Sequence, residues 1–193
     1  MNRPASGRIH SMVVAVSLAG LAAIFLQWGC SSRVSYRTDY PLTGQNFFSR
    51  DHNFSGRVPQ GWMIATDREN DSVAPSLVAL MIKDDYSATL SFRELLLDRL
   101  TSSQVDKEGL PILARITPSL QNQTGNSANV EMYNFHGQQF CGYELSPDKR
   151  IVFFRVKGHC YECVVKPEGN AGVGAHAESL FNVQQTVMTS LSF

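Results

Sequence analysis

The chain has 193 residues and no formal net charge, with 17 Lys+Arg against 17 Asp+Glu. The only formal charges among residues 1–29 are Arg3 and Arg8, so 15 basic residues (17 less those two) face 17 acidic ones in the remainder. That slightly acidic balance excludes the concentrated basic surface a nucleic-acid partner needs, and it gives no support for a polybasic patch on anionic lipid. The length beyond residue 30 suits one domain with its own core, without internal repeats or coiled-coil heptads.

The basic start is followed by an uncharged apolar run from Ser11 to Leu26, the arrangement of a secretory signal. The run is shorter than the ~20 residues a helix needs to cross a bilayer. It leads into Gly29-Cys30-Ser31-Ser32. The segment resembles the signal of bacterial lipoproteins, with Leu26-Gln27-Trp28-Gly29-Cys30 as the lipobox region. Family members usually carry Leu three residues before the cysteine and a small residue two before it, where Gln27 and Trp28 stand here. The resemblance implies cleavage before Cys30 and lipid attachment to its thiol, so that acyl chains worth ~0.8 kcal/mol per buried CH₂ hold the chain at a membrane. A competing reading keeps residues 1–29 as an uncleaved signal anchor with Trp28 at the interface. A third makes the segment a buried helix of a soluble domain. In the first two, Arg3 and Arg8 stay inside and the rest is exported to face the periplasm. Ser31 after the cysteine, in place of the Asp associated with inner-membrane retention, favours the outer membrane.

Residues 30–47 are rich in Ser, Arg, Tyr, Thr and Gly without an apolar period, and read as a tether. The globular domain is expected over 48–193. Asn53 to Val58 reads as a strand stopped by Pro59-Gln60-Gly61, and Trp62 to Ala65 as the next. After the polar loop Asp67-Arg68-Glu69-Asn70-Asp71, Leu77 to Ile82 and Ser87 to Leu95 read as strands joined by a turn at Asp84-Asp85. Asp106 to Gln121 reads as a helix capped by Asp106, with Leu110, Leu113, Ile116 and Leu120 at helical spacing and Pro118 ending it. Four strand-like runs then form a meander: Asn129–Phe135, Gln138–Leu145, Ile151–Val156 and His159–Lys166, separated by His136-Gly137, Ser146 to Arg150, and Lys157-Gly158. Pro167 to Asn170 breaks the sheet. The chain closes with a helix from about Ala175 to Thr189, whose apolar stripe is Ala177, Leu180, Phe181, Val187, Met188 and Leu191.

Three cysteines follow Cys30, namely Cys141, Cys160 and Cys163. The Cys160-Tyr161-Glu162-Cys163 spacing admits a redox dithiol or half a metal site. Its strand context argues against both. Residues three apart in a strand face opposite sides and lie ~10 Å apart, beyond the ~7 Å a disulfide spans, unless a bulge intervenes. A haem site would need His after the second cysteine, whereas His159 precedes the first. Counting back from the Lys157-Gly158 turn puts Val152 opposite Cys163 and Phe154 opposite Tyr161. A similar count across the next hairpin puts Tyr143 opposite Val152 and Cys141 opposite Phe154. Cys141 and Cys163 would then share a face two strands apart, ~9.5 Å or more. Buried free thiols acting as small apolar residues are the favoured reading; a bulge-assisted disulfide and a redox or metal role stand behind it.

Asp67, Glu69 and Asp71 alternate as in a calcium loop but lack its Gly and distal Glu. Asp84-Asp85 suits turn chemistry better than a carboxylate pair, and Trp62 suits a core anchor better than a stacking platform. No residue is therefore expected to be catalytic, to bind a cofactor or to hold a metal.

The order strand, Pro59-Gln60-Gly61-Trp62, further strands, helix, meander and a closing helix ending Met188-Thr189-Ser190-Leu191-Ser192-Phe193 resembles the PsbP-like superfamily, over about Phe48 to Phe193. That fold is shared by the PsbP subunit of photosystem II, a Ran-binding nuclear-import factor and DcrB-like envelope lipoproteins. The resemblance implies an α+β fold, an antiparallel sheet covered by helices in an α/β/α sandwich. It also implies a binding or assembly role rather than an enzyme, by analogy of fold alone. The expected function is a membrane-anchored envelope lipoprotein that binds a protein partner. A small-ligand or lipid-binding module is the alternative, and an envelope thiol oxidoreductase or hydrolase a weaker one.

Overall fold

The structure is a computed structural model and describes residues 37–65, 76–113, 129–146, 149–168 and 177–193. All of these belong to one compact unit, Tyr36–Phe193. The signal segment, Cys30, the Asp67–Asp71 loop and the second half of the expected 106–121 helix lie outside the described residues.

The meander expected from sequence is the heart of the fold. β6 (Asn129–Phe135), β7 (Gln138–Ser146), β8 (Lys149–Val156) and β9 (His159–Pro167) pair antiparallel in succession. Two of the turns bring positive φ where a right-twisted hairpin needs it: His136 and Gly137 at 51° and 81°, Lys157 and Gly158 at 50° and 90°. β9 then pairs on its other side with β5 (Ala88–Leu95), followed by β4 (Leu77–Lys83) and β3 (Trp62–Ile64). The result is one seven-stranded antiparallel sheet in the order β3-β4-β5-β9-β8-β7-β6. At the β4–β5 turn, Asp85 Oδ1 accepts from the Ser87 N–H at 2.9 Å, and Lys83 Nζ reaches Oδ2 at 2.8 Å, which is the turn chemistry expected there.

Two elements depart from the sequence reading. Leu42–Phe48 is a strand, β1, where the composition reads as tether. It pairs with β2 (Ser55–Pro59) and sinks Phe47 into the core. A single deeply buried aromatic outweighs the polar composition around it. The first helix, α1, runs Arg99–Glu108, earlier in the chain than expected. Asp98, not Asp106, is its cap, accepting from the Thr101 N–H at 2.7 Å. Gly109, at φ 79°, ends it, and Pro111 then sits in a short 3-10 turn, Leu110–Ile112.

The sheet is covered on both faces, giving the expected α/β/α layering. On one face the closing helix α2 (Ala177–Thr189) and the β1–β2 pair pack Leu180, Val183, Val187, Met188, Phe47, Phe54 and Val58 against Leu90, Phe92, Phe140, Phe154, Tyr161 and Cys163. On the other, Val105 of α1 with Leu110, Ile112 and Leu113 packs against Cys141, Tyr143, Ile151, Phe153 and Cys160. β9 sits at the centre with both faces covered, so Cys160, Tyr161, Glu162 and Cys163 are consecutively buried. Phe54 organises the first core. Its ring centroid lies 5.1 Å from Tyr161, 5.3 Å from Phe92 and 5.3 Å from Phe154, contacts worth about 0.5–1.5 kcal/mol each beyond area burial.

Candidate functional site

The cysteines are the strongest chemical signal in the sequence. Cys141, Cys160 and Cys163 are all unbridged and buried. Val152 lies opposite Cys163 and Phe154 opposite Tyr161, as the hairpin count predicts. Across β7–β8, however, the register slips by one, because the ladder is irregular between Glu144 and Ser146. Cys141 therefore faces Phe153, and Tyr143 faces Ile151. One residue of slip reverses the face. Cys141 thus joins Cys160 in the core under α1, while Cys163 lies in the core under α2. Burial pushes all three thiols above their ordinary range. At Cys160 the nearby Arg155 opposes that shift and Asp106 adds to it. At Cys163 the Gln184 amide, whose Nε2 lies 3.9 Å from Sγ, opposes the shift, and burial outweighs it. A thiol held protonated in an apolar core is neither a nucleophile nor a ligand.

A polar group gathers at the start of β9, beside these cysteines. Tyr161 Oη donates to Asp51 Oδ2 at 2.5 Å and accepts from Asn53 Nδ2 at 2.7 Å. His159 Nδ1 meets Glu94 Oε1 at 2.7 Å, with the His159 and Tyr161 rings 6.5 Å apart. Burial opposes ionisation of Asp51, but hydrogen bonds from Ser49, Tyr161 and Asn53 outweigh it and hold the carboxyl below its ordinary range. Burial, with Asp51 alongside, pushes the Tyr161 phenol up. An ionised Asp fixed by a neutral Tyr ties the 49–54 loop to the sheet. Among the described residues, no group of three His, Cys, Asp or Glu could hold a metal ion.

The feature that best fits recognition is a cleft of about 210 Å³ between the β3–β5 end of the sheet and the start of α2. Its walls include Tyr40, Trp62, Lys83, Ser87, Pro167 and Leu180. Each side chain has a reason to be there. The Pro59-Gln60-Gly61 turn, with Gly61 at φ 77°, delivers Trp62 into register opposite Lys83. Tyr40 is held by its hydroxyl donating to the Gln60 carbonyl at 3.0 Å. Lys83 Nζ bridges Asp85 and Ser87 at 2.8 and 3.0 Å, and this ammonium, then Ser87, holds the Asp85 carboxyl well below the usual range. Trp62 is the core anchor the sequence suggests, only 5% exposed, yet its Nε1–H is buried without an acceptor among the described residues. A more open groove of about 640 Å³ runs past Asp39, Arg57, Thr186 and Ser190. Two of its hydroxyls are already engaged, Thr186 Oγ1 accepting from the Tyr40 N–H and Ser190 Oγ from the Arg57 N–H. Hence the smaller cleft is the better candidate.

No family model matches the sequence, and neither does any curated protein. Similarity appears at the level of structure. The solution structure of cyanobacterial PsbP (CyanoP) from Synechocystis sp. PCC 6803 covers 85% of this chain and 96% of its own, at 12% identity and a TM-score of 0.47. The crystal structure of the Saccharomyces cerevisiae Ran-binding protein Mog1p covers 79% of this chain and 96% of its own, at 9% identity and a TM-score of 0.51. The antiparallel sheet covered by helices is the fold shared with Mog1p. At 9% identity that likeness extends to the arrangement of sheet and helices alone. Among the described residues, no helix is long and apolar enough to cross a membrane.

Proposed function

We propose that the chain is an envelope lipoprotein, acylated at Cys30 and facing the periplasm, whose PsbP-like domain is a non-catalytic module that docks a protein partner at the Trp62 cleft. The outer membrane is favoured by Ser31. The observation that carries the docking reading is the cleft walled by Trp62, a side chain whose Nε1–H is buried without an acceptor among the described residues. A buried, unpaired donor costs about 1–3 kcal/mol, which a peptide carbonyl or carboxylate of a partner relieves on binding. The non-catalytic reading is supported by the three thiols, whose burial and raised pKa values leave an oxidoreductase without a nucleophile.

Small-ligand or lipid binding is the second reading. It asks for a pocket of roughly 300–1,000 Å³ lined by apolar groups. The space between sheet and α2 is instead filled by Phe47, Phe54, Phe92, Phe154 and Tyr161, and the cleft of about 210 Å³ is small. A protein surface that inserts a short segment suits it better.

The test uses the full chain in Gram-negative envelopes. Intact mass is expected to show a product beginning at an acylated Cys30. A photo-crosslinking residue at Ser87 is expected to capture a protein of defined mass, and the same residue at Lys107 to capture none. A product beginning at Met1 without acyl mass, fractionating with cytosol, overturns the anchor. Capture of lipid or of a small molecule alone at Ser87 selects the second reading, and no capture at Ser87 removes the cleft as a docking site.

A further inference from the structure

The outer edge of β6 is built in an unusual way. β6 is an end strand of the seven-stranded sheet and, among the described strands, pairs only with β7. It is seven residues long, Asn-Val-Glu-Met-Tyr-Asn-Phe, and its register with β7 runs without a break from Asn129–Glu144 to Phe135–Gln138. It has no Pro, no Lys and no bulge, three of the devices by which sheet edges are kept from pairing, and its one charged residue, Glu131, alternates onto the face opposite Val130 and Met132. The opposite edge, β3, has only three residues. Val130 and Met132 stand 47% and 43% exposed on the same face of this edge.

The hairpin fixes which backbone groups point outward. His136-Gly137, both at positive φ, is a two-residue turn closed by Phe135 and Gln138. In such a hairpin the closing pair exchanges hydrogen bonds, and bonded and non-bonded pairs then alternate along the ladder. Phe135, Tyr133 and Glu131 therefore bond inward to β7, while the N–H and C=O groups of Asn134, Met132 and Val130 point away from the sheet.

We infer that β6 pairs antiparallel with β6 of a second copy of this chain, about a two-fold axis through Met132, to make one continuous sheet across a homodimer. In that register Met132 faces Met132, Val130 faces Asn134, and Glu131 faces Tyr133. Every outward-pointing residue then meets another, forming about six backbone hydrogen bonds, and Val130 and Met132 of both copies close over one another on one face. Shifting the axis to Glu131 sets two like charges opposite each other, which is destabilising. Shifting it to Tyr133 carries Val130 past the strand, opposite His136 in the turn. Self-complementarity about a single residue is the requirement of an isologous interface, and it points to a second copy rather than an unrelated strand. The inference rests on the geometry of β6 and is independent of acylation at Cys30 and of the Trp62 cleft.

The test is disulfide trapping in the full purified chain, with the native-cysteine chain as baseline. Residues facing each other in a bonded antiparallel pair have Cα atoms ~5.5 Å apart, within disulfide reach. Met132→Cys is expected to give a linked dimer on mild oxidation. Val130→Cys and Asn134→Cys are each expected to stay at baseline alone and to link when mixed, since Val130 and its own copy lie ~13 Å apart along the strand. Met132→Pro removes an N–H that points away from β7, a substitution an edge strand accepts. It should leave the melting transition in place and weaken the dimer by at least about tenfold in sedimentation, the equivalent of 1.4 kcal/mol. Baseline linkage for Met132→Cys, equal linkage for Val130→Cys alone, or linkage to a chain of different mass each overturns the proposal. Unchanged sedimentation of the folded Met132→Pro chain does the same.

Discussion

The Arg150 guanidinium donates to Oε1 of Gln185 at 3.0 Å, with both side chains buried between the sheet and α2. The charge also lies 5.9 Å from the centroids of the Tyr133 and Phe181 rings. Next to it, Gln184 Nε2 donates to the Cys163 carbonyl at 2.9 Å, so two consecutive glutamines of α2 are spent on seating the helix. Removing the acceptor while keeping the charge should be costly. Gln185→Leu is expected to lower stability by about 1–3 kcal/mol, read as a fall in the urea midpoint at constant m. Adding Arg150→Met should restore part of that loss, because an apolar chain of similar length needs no acceptor. Wild-type stability in Gln185→Leu would show that the helix seat does not depend on this bond.

Gly56 of β2 has a steric role. A Cβ there would come within 2.7 Å of Phe47 Cε1 and 2.9 Å of Leu191 Cδ2. The Phe47 ring cannot easily retreat, since it stacks on Phe92 at 5.4 Å and meets Phe54 edge-on at 6.4 Å. Gly56→Ala is therefore expected to destabilise by about 1–3 kcal/mol through overpacking. Gly44 in β1 has nothing within 4 Å of its would-be Cβ, and Gly44→Ala should stay within about 0.5 kcal/mol. Thermal melts of the two variants side by side check the contrast.

What the sequence could disclose follows from which constraints are local. The β8–β9 register was readable because Lys157-Gly158 is a two-residue turn, and its length fixes every pair down to Val152 opposite Cys163. The β7–β8 register was not, because the irregularity between Glu144 and Ser146 adds a residue that no composition signals. That one residue moved Cys141 to the other face. The Asp106 start was misjudged because Leu110, Leu113, Ile116 and Leu120 keep helical spacing, while Gly109, which breaks the run among the described residues, is a single residue. Asp98, three residues before Thr101, was an available N-cap signal. Phe47 was hidden in polar company, and only its contacts across the core reveal why Leu42–Phe48 pairs as a strand. The cleft was out of reach altogether, since Tyr40, Trp62, Ser87 and Leu180 meet only through tertiary structure.

The buried thiols predict both a reactivity and a pH response. Cys141, Cys160 and Cys163 should resist thiol reagents in the native chain and react on unfolding. An acylated Cys30 leaves three titratable thiols in the unfolded chain, whereas a free Cys30 makes four, the full cysteine content. Zero free thiols after unfolding without reductant would mean the core cysteines had bridged. These groups, with Tyr133 and Tyr161, have folded pKa values raised by burial above the 9.0 and 10.0 of the free side chains. Above those values the unfolded chain releases protons that the folded chain retains, so the unfolded state binds fewer protons and stability falls as pH rises. The decline should begin near pH 9 and steepen past pH 10. Asp51 acts at the other end, its folded pKa lying below 3.8, so its contribution is present above that value and is lost as pH falls further. Urea midpoints from pH 3 to pH 10.5 test both limbs, and a midpoint still rising above pH 9 would contradict the first.

Trp62 separates folding from recognition in a single side chain. Its ring belongs to the core beneath α2, while its Nε1–H is buried without an acceptor among the described residues. Trp62→Phe keeps an aromatic ring in place and deletes the unpaired donor. The lost indole area costs stability and the removed polar group returns some, so the net change is expected to be within about 1 kcal/mol. Partner capture through a crosslinker at Ser87 should nevertheless drop by about tenfold, the scale of one lost hydrogen bond of roughly 1.4 kcal/mol. Trp62→Ala would lower both readings together by emptying the core, so only the Phe variant discriminates. A loss above about 3 kcal/mol in Trp62→Phe would mean the indole N–H is already satisfied within the folded chain, and the cleft would then have no unmet bond to offer a partner.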